Sequence, residues 1–307
     1  MLKKSIFKAI YATILGICLI AAAPVFAGES TSTKKSQTKS AESKSVQPQV
    51  DKQTTNEATK KRKEIISEAS AAIKETEKAL KALEEDKTKE ALAALEIAVG
   101  KLELILVRDP ELALAPVDVD IVTHDLYADL ETIKKAIDKA EDYLEDGEIQ
   151  KARPLVASMA SEIVFRTKNI PLVTYPDAIK AITPLIDAGK IEEAKTELRI
   201  ALSTLVVTED VIPLPGLRVK HILDEAEKLA ENEERSVKDN TTLSNQLKEA
   251  RTQLKMAKLL GYGTKKSYQP MYDQIDQIEQ KIEGGKGGKG WFEKIKQQIS
   301  EYLEALK

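Results

Sequence analysis

The chain has 307 residues, of which 32% are charged, 42% hydrophobic and only 4% aromatic, with a formal net charge of −3 at pH 7. The charge fraction excludes an integral membrane protein and the hydrophobic fraction a wholly disordered one. With 13 glycines, 11 prolines and one cysteine, collagen-like, proline-rich and disulfide-framed architectures are excluded too. Abundant Ala, Leu, Glu and Lys against scarce aromatics predict an all-α fold, a multi-helix bundle of antiparallel hairpins.

Residues 1–27 read as a secretory signal peptide. Lys3, Lys4 and Lys8 form a basic start, Ala9 to Ala23 an apolar run, and Val25-Phe26-Ala27 a small-x-small cleavage site. The apolar run falls short of the ~20 residues of a membrane span and ends at Pro24. Cleavage after Ala27 is therefore expected, with delivery to the periplasm. It would remove Cys18, which Ile17 disqualifies as a lipidation site, and leave a cysteine-free mature protein. That chain carries 44 basic and 50 acidic residues, a net charge of −6. Such a surface disfavours nucleic acid as a partner.

From 28 to 60 the only apolar side chains besides Pro48 are Ala41, Val46, Val50 and Ala58. So little apolar surface predicts a disordered Ser/Thr/Lys/Gln spacer. Helical periodicity then runs through a domain spanning 61–283. Ile66, Ala69, Ile73, Thr76, Leu80 and Leu83 lie on one helical face, and Ala91, Leu95, Ala98, Leu102 and Ile105 on the next. Three hairpin turns align, each with an apolar residue (Leu83, Leu144, Ile186) eight positions before an alanine (Ala91, Ala152, Ala194). Gly147 and Gly189 suit the left-handed position that ends a helix. Pro176 suits a first helical turn. Leu243, Leu247, Ala250, Leu254 and Ala257 form one seam, and Met271, Ile275, Ile278 and Ile282 a second. The two seams predict an antiparallel pair across the turn at 261–269.

The proline-rich joints 169–176 and 211–216 read as apolar loops that break helices. Gly284 to Gly290 reads as a flexible linker. It precedes an amphipathic helix at 291–307 whose apolar face is Trp291, Ile295, Ile299, Leu303 and Leu306. Three lysines balance three glutamates on it. Docking onto the protein's own body or a partner is favoured over a membrane surface on that ground.

Motifs for chemistry are absent: no G-x-S-x-G elbow, H-E-x-x-H pair or phosphate-binding G-x-x-x-x-G-K-[ST] loop occurs. Of two histidines, His221 has Asp224 and Glu225 at helical spacing, a local surface pair. His124 follows Asp118 and Asp120, which share one face of an extended stretch. With Asp125 they are metal-site candidates, the other reading being a loop whose acids cap the next helix. No cofactor and no catalytic residues are expected.

Residues 108–120, 170–231 and 250–266 together resemble the YfdX family of exported bacterial proteins. The resemblance is carried by Ile170-Pro171-Leu172, Tyr175-Pro176, Ile212-Pro213-Leu214-Pro215 and Gly261-Tyr262-Gly263, over roughly 61–285. It implies a helical periplasmic protein of a Gram-negative bacterium, associated with stress including acid stress, and no established catalysis. The favoured expectation is a non-enzymatic binding or stress-protective protein, chaperone-like under acid or envelope stress, with a protein partner or self-association. A carrier of small apolar or amphiphilic ligands is the alternative. A metal-assisted enzyme using His124 and its aspartates is the third reading.

Overall fold

A computed structural model describes residues 39–306. The predicted signal, its cleavage after Ala27 and residues 28–38 lie outside the described residues. The first described elements are α1 (Ala41–Ser45) and α2 (Gln47–Lys63), followed by α3 (Ser67–Glu84) and α4 (Thr88–Arg108). Then come β1 (Leu114–His124), α5 (Leu130–Glu145), α6 (Ile149–Ala157) and β2 (Glu162–Pro171). After them run α7 (Tyr175–Asp187), α8 (Ile191–Ser203), β3 (Val206–Pro213) and α9 (Leu214–Glu231). The chain ends with α10 (Val237–Leu259), α11 (Lys265–Ile282), a 3-10 turn (Glu283–Gly285) and α12 (Glu293–Glu304).

The fold is mostly helical, as composition predicts, and the three hairpins are α3–α4, α5–α6 and α7–α8. Their turns share one hydrogen-bond pattern. The amides of Lys87, Glu148 and Lys190 donate to the carbonyls of Ala82, Tyr143 and Leu185 at 2.8, 2.7 and 2.9 Å. Those of Asp86, Gly147 and Gly189 donate to Leu83, Leu144 and Ile186. This paired closure requires a left-handed residue, and φ is 73° at Gly147 and 72° at Gly189. The first hairpin places Asp86 there, at φ 59°. A Cβ at this conformation is costly, so Asp86→Gly is expected to stabilise the fold by about 0.5–1 kcal/mol. A thermal melt checks it, and a lower Tm would count against the shared-turn argument.

Each hairpin is followed by a strand, giving three successive hairpin–strand units. The strands form an antiparallel sheet in the order β1-β2-β3, with Ile121 opposite Phe165 and Phe165 opposite Asp210. This small sheet is an addition to the helical fold that the composition does not announce. Of the proline joints only residues 172–174 form a turn: Pro171 and Pro213 close β2 and β3, and Pro176 and Pro215 lie in the first turns of α7 and α9. A proline suits both ends, because neither a strand terminus nor a helix start needs its N–H.

Two apolar cores result. Helices α3, α4, α7 and α8 enclose one, lined largely by alanine. The other gathers α9 to α12 against the sheet face carrying Ile163, Phe165 and Ile212. The α10 and α11 seams are buried there as predicted, apart from the partly exposed Ile282.

Residues 41–60 are not a disordered spacer but helical and docked, with Val46, Val50 and Ala58 buried. Composition misleads here because Val46 and Val50 are one helical turn apart and so share a face. The Gly284–Gly290 segment is not a free linker. Gly288 N donates to Ala230 O (3.1 Å), and Arg235 donates to the carbonyls of Gly285 (2.9 Å) and Lys286 (2.6 Å). A Cβ at Gly287 would sit 2.8 Å from Ala230 O, so that glycine serves close approach. Helix α12 turns its apolar face onto α9 and α11, burying Ile295, Ile299, Tyr302 and Leu303. Lys296 fixes it through Asp224 (3.0 Å) and Glu227 (2.7 Å) on α9.

Candidate functional site

The feature that stands out is a polar strap, residues 39–63, lying across an apolar surface. Its α2 has only two buried side chains, Val50 and Ala58, which join the core of Ile163, Phe165, Ile212, Leu214 and Leu217. Crevices of about 260 and 190 Å³ follow its junction with the sheet. Thr123, Asp125 and Ile163 line the first, and Phe165, Asp210 and Ile212 the second.

Five of the strap's polar contacts set its donors against carboxylates of the body, while Gln253 Nε2 donates back to Ser43 Oγ at 3.3 Å. Ser43 Oγ donates to Glu249 (2.7 Å), Gln49 Nε2 to Glu225 (2.9 Å) and Ser45 Oγ to Glu225 (3.1 Å). Lys39 pairs with Asp125 (2.9 Å), and Lys61 with Asp210. His221 reaches Gln53 through Nε2 at 3.0 Å. Its Nδ1 lies 3.6 Å from Asp224, the local pair expected from helical spacing. The strap contact is not legible in that spacing.

Asp125 is the most engaged of these carboxylates. Arg218, only 2% exposed, donates through Nη2 to both its oxygens at 2.8 and 2.7 Å, and Tyr127 OH adds a third partner at 2.9 Å. Burial alone would raise this carboxyl, but the hydrogen bonds from Arg218 and Lys39 outweigh it and hold it below its ordinary value. Arg218 Nε is buried without a partner, so Asp125 is the anion that compensates this guanidinium.

The remaining metal-site candidates do not converge on Asp125. Asp118 pairs with Lys168 across the sheet at 3.4 Å, and Asp120 accepts from the Ile121 amide. His124 is exposed at the end of β1, opposite Glu162. Among the described residues no three His, Cys, Asp or Glu side chains are grouped to hold a metal ion. The sequence places Asp118 and Asp120 on one face correctly, but that face carries a ladder of opposite charges from β2, including Arg166, which in turn bonds Glu209 (2.7 Å).

The distinctive proline, tyrosine and glycine positions have structural roles. Tyr175 is fully buried at the start of α7; burial pushes its hydroxyl up to about 12, which the nearby Thr76 only partly offsets. Tyr262 ties the α10–α11 turn to β2, its hydroxyl accepting from Ser161 N (2.9 Å) and donating to Glu162 (2.7 Å). Its carbonyl accepts from the hydroxyls of Tyr268 and Tyr302, which anchors α12 to the turn. Gly261 and Gly263 have φ of 83° and 74°, and a Cβ at Gly263 would stand 2.7 Å from the Tyr302 ring.

The three hairpin–strand units are also where the chain matches known proteins. Residues 72–211 match the family model described as YfdX protein. Over this stretch the chain is similar to the YfdX family. The matched YfdX segment opens in α3 and closes in β3, so it coincides with the three units. It is narrower than the 61–285 span expected from the sequence. Pro171, Tyr175 and Pro176 fall inside it, whereas Pro213, Pro215, Gly261, Tyr262 and Gly263 lie beyond it, as do the strap and α12. The chain is also similar to a solved structure of YfdX from Salmonella Typhi. Identity is 17%, coverage is 49% of this chain and 93% of that one, and the TM-score is 0.34. No curated protein matches. No helix among the described residues is long and apolar enough to cross a membrane.

Proposed function

We propose that the chain is an exported, periplasmic binding protein without catalytic chemistry, protective under acid or envelope stress, whose contact surface is the apolar sheet face beneath the strap. The observation that carries this reading is the set of body carboxylates that anchor the strap: Asp125, Asp210, Glu225 and Glu249 receive donors from residues 39–61. Acid removes carboxylate charge, and with it the charge assistance that strengthens hydrogen bonds of this kind. The same titration leaves the basic residues unopposed, and their mutual repulsion favours opening. A lifted strap would uncover Ile163, Phe165, Ile212 and Leu217, an apolar patch of the kind that binds partly unfolded chains.

The test is suppression of aggregation of a heat-labile client enzyme at pH 7 and pH 4. Suppression is expected at pH 4 in the native chain. It is expected already at pH 7 in a Ser43→Glu, Lys61→Glu variant, which sets like charges against Glu249 and Asp210. Absence of suppression in both would sink the reading.

One observation favours a second reading, the carrier. An open groove of about 500 Å³ between α7 and α8 has Ala178, Ala181 and Leu185 on its walls and Glu192, Glu193 and Glu197 among its lining residues. Apolar walls beside acids suit a cationic amphiphile. Native mass spectrometry of freshly purified protein would then show adducts, which Leu185→Glu abolishes.

A further inference from the structure

Helix α4 is apolar on two opposite faces. Ala91, Ala94, Leu95, Ala98, Leu102 and Ile105 are buried, all but Ala98 as members of the alanine-rich core. Ala93, Ile97, Gly100, Leu104 and Val107 are exposed, at 45% for Ile97 and Leu104 and 78% for Val107. At ~100° per residue the second set centres roughly 150° around the helix from the first. Its spacing alternates four and three, the repeat of a helix-pairing seam. Nothing lies within 4 Å of a Cβ built at Gly100, so the middle of this seam is open to an approaching backbone.

The flanking charges say which helix fits. Glu96 and Glu103 border the seam on one side, Lys101 and Arg108 on the other. Place a second α4 beside the first, parallel and in register. Ile97 and Leu104 then meet their own copies, as do Ala93, Gly100 and Val107. Each glutamate falls five residues before a basic side chain of the other helix, Glu96 facing Lys101 and Glu103 facing Arg108. The two-fold axis repeats both pairs. Antiparallel pairing about Gly100 instead opposes Glu96 to Glu103 and Lys101 to Lys101. The existing partners of Glu103 and Arg108 are Lys180 and Glu68, and of these four side chains only Glu68 is mostly covered. Such contacts are worth little and exchange readily.

We propose that the outer face of α4 is a self-association surface at which two copies pair parallel and in register. The inference is independent of the strap. A seam about 21 Å long is small, which puts the dimer in the weak, reversible class.

Sedimentation velocity over a concentration series tests it on the full chain. A monomer–dimer equilibrium is expected, and Leu104→Glu, at an exposed site, should raise its Kd at least about tenfold with an unchanged helical spectrum. Glu96→Lys with Glu103→Lys, and separately Lys101→Glu with Arg108→Glu, should each abolish pairing, and mixing the two variants should restore it. Val107→Cys in a Cys18→Ser background should form an intermolecular disulfide on oxidation, because parallel pairing sets the two copies side by side. Antiparallel pairing would hold them ~21 Å apart. A chain monomeric at its solubility limit, a dimer indifferent to Leu104→Glu or the charge reversals, or a Val107→Cys dimer that does not cross-link would each overturn the proposal.

Discussion

Asp125→Ala is expected to lower the free energy of unfolding at pH 7 by roughly 3–5 kcal/mol, measured by urea denaturation. The loss comes from what is left behind. Arg218 is 2% exposed, and its guanidinium would remain in the core with its carboxylate gone and its Nε already without a partner. Lys39 and Tyr127 lose their acceptor in the same change. The control is the double variant Asp125→Ala, Arg218→Met, which should cost clearly less than Asp125→Ala alone, because an apolar side chain of similar length needs no counter-charge. A double variant as damaged as the single one would mean that packing, not charge compensation, sets the loss. The sign with pH follows from the direction of the shift. Asp125 is held below its ordinary value in the fold, so its contribution is present above the unfolded carboxyl pKa of about 4. It is lost as pH falls through the lower folded value. The gap between native chain and Asp125→Ala should therefore narrow below about pH 4.

Phe165→Ala should cost about 3–5 kcal/mol, the range for emptying a fully enclosed aromatic site. Phe165 is 0% exposed on the central strand, between Ile121 and Asp210 of its neighbours, and belongs to the core that receives Val50 and Ala58 of the strap. The second expected effect is local. Amides of residues 47–63 should exchange with solvent faster, out of proportion to the global loss, since α2 has few other apolar contacts. Exchange that rises uniformly along the chain would contradict the view of the strap as a separately releasable unit.

Those two residues also mark where legibility in the sequence ends. The seams of α10 and α11 and the three hairpins can be read directly, because helical periodicity and left-handed turn glycines are short-range signals. Asp86 is placed in the same role only by aligning its turn with the other two, since its side chain tolerates but does not require φ of 59°. The strands are partly visible. Asp118, Val119, Asp120 and Ile121 alternate as a strand should, and β-branched residues crowd β2 and β3, but Ala and Leu dominate the average that assigns the class.

The candidate site is the least legible part. Lys39, Glu225 and Glu249 are unexceptional in a chain with 47 basic and 50 acidic residues. Asp125 stands out in the sequence, but as a metal ligand, because a sequence shows that acids are near one another and not that a buried arginine 93 residues away claims one of them.

By itself the sequence determined the helical class, the hairpins and their turns, and the seams that bury leucine and isoleucine, all consequences of side-chain period and local backbone preference. It also holds the α4 stripe and its flanking charges, which are written within a single helix. Only the tertiary structure decided that residues 41–63 are a docked strap, that the glycines before α12 are anchored and that Asp125 answers Arg218. Each of these is a meeting of polar groups distant along the chain. Their energies depend on burial and on the partner's position, which no local pattern encodes.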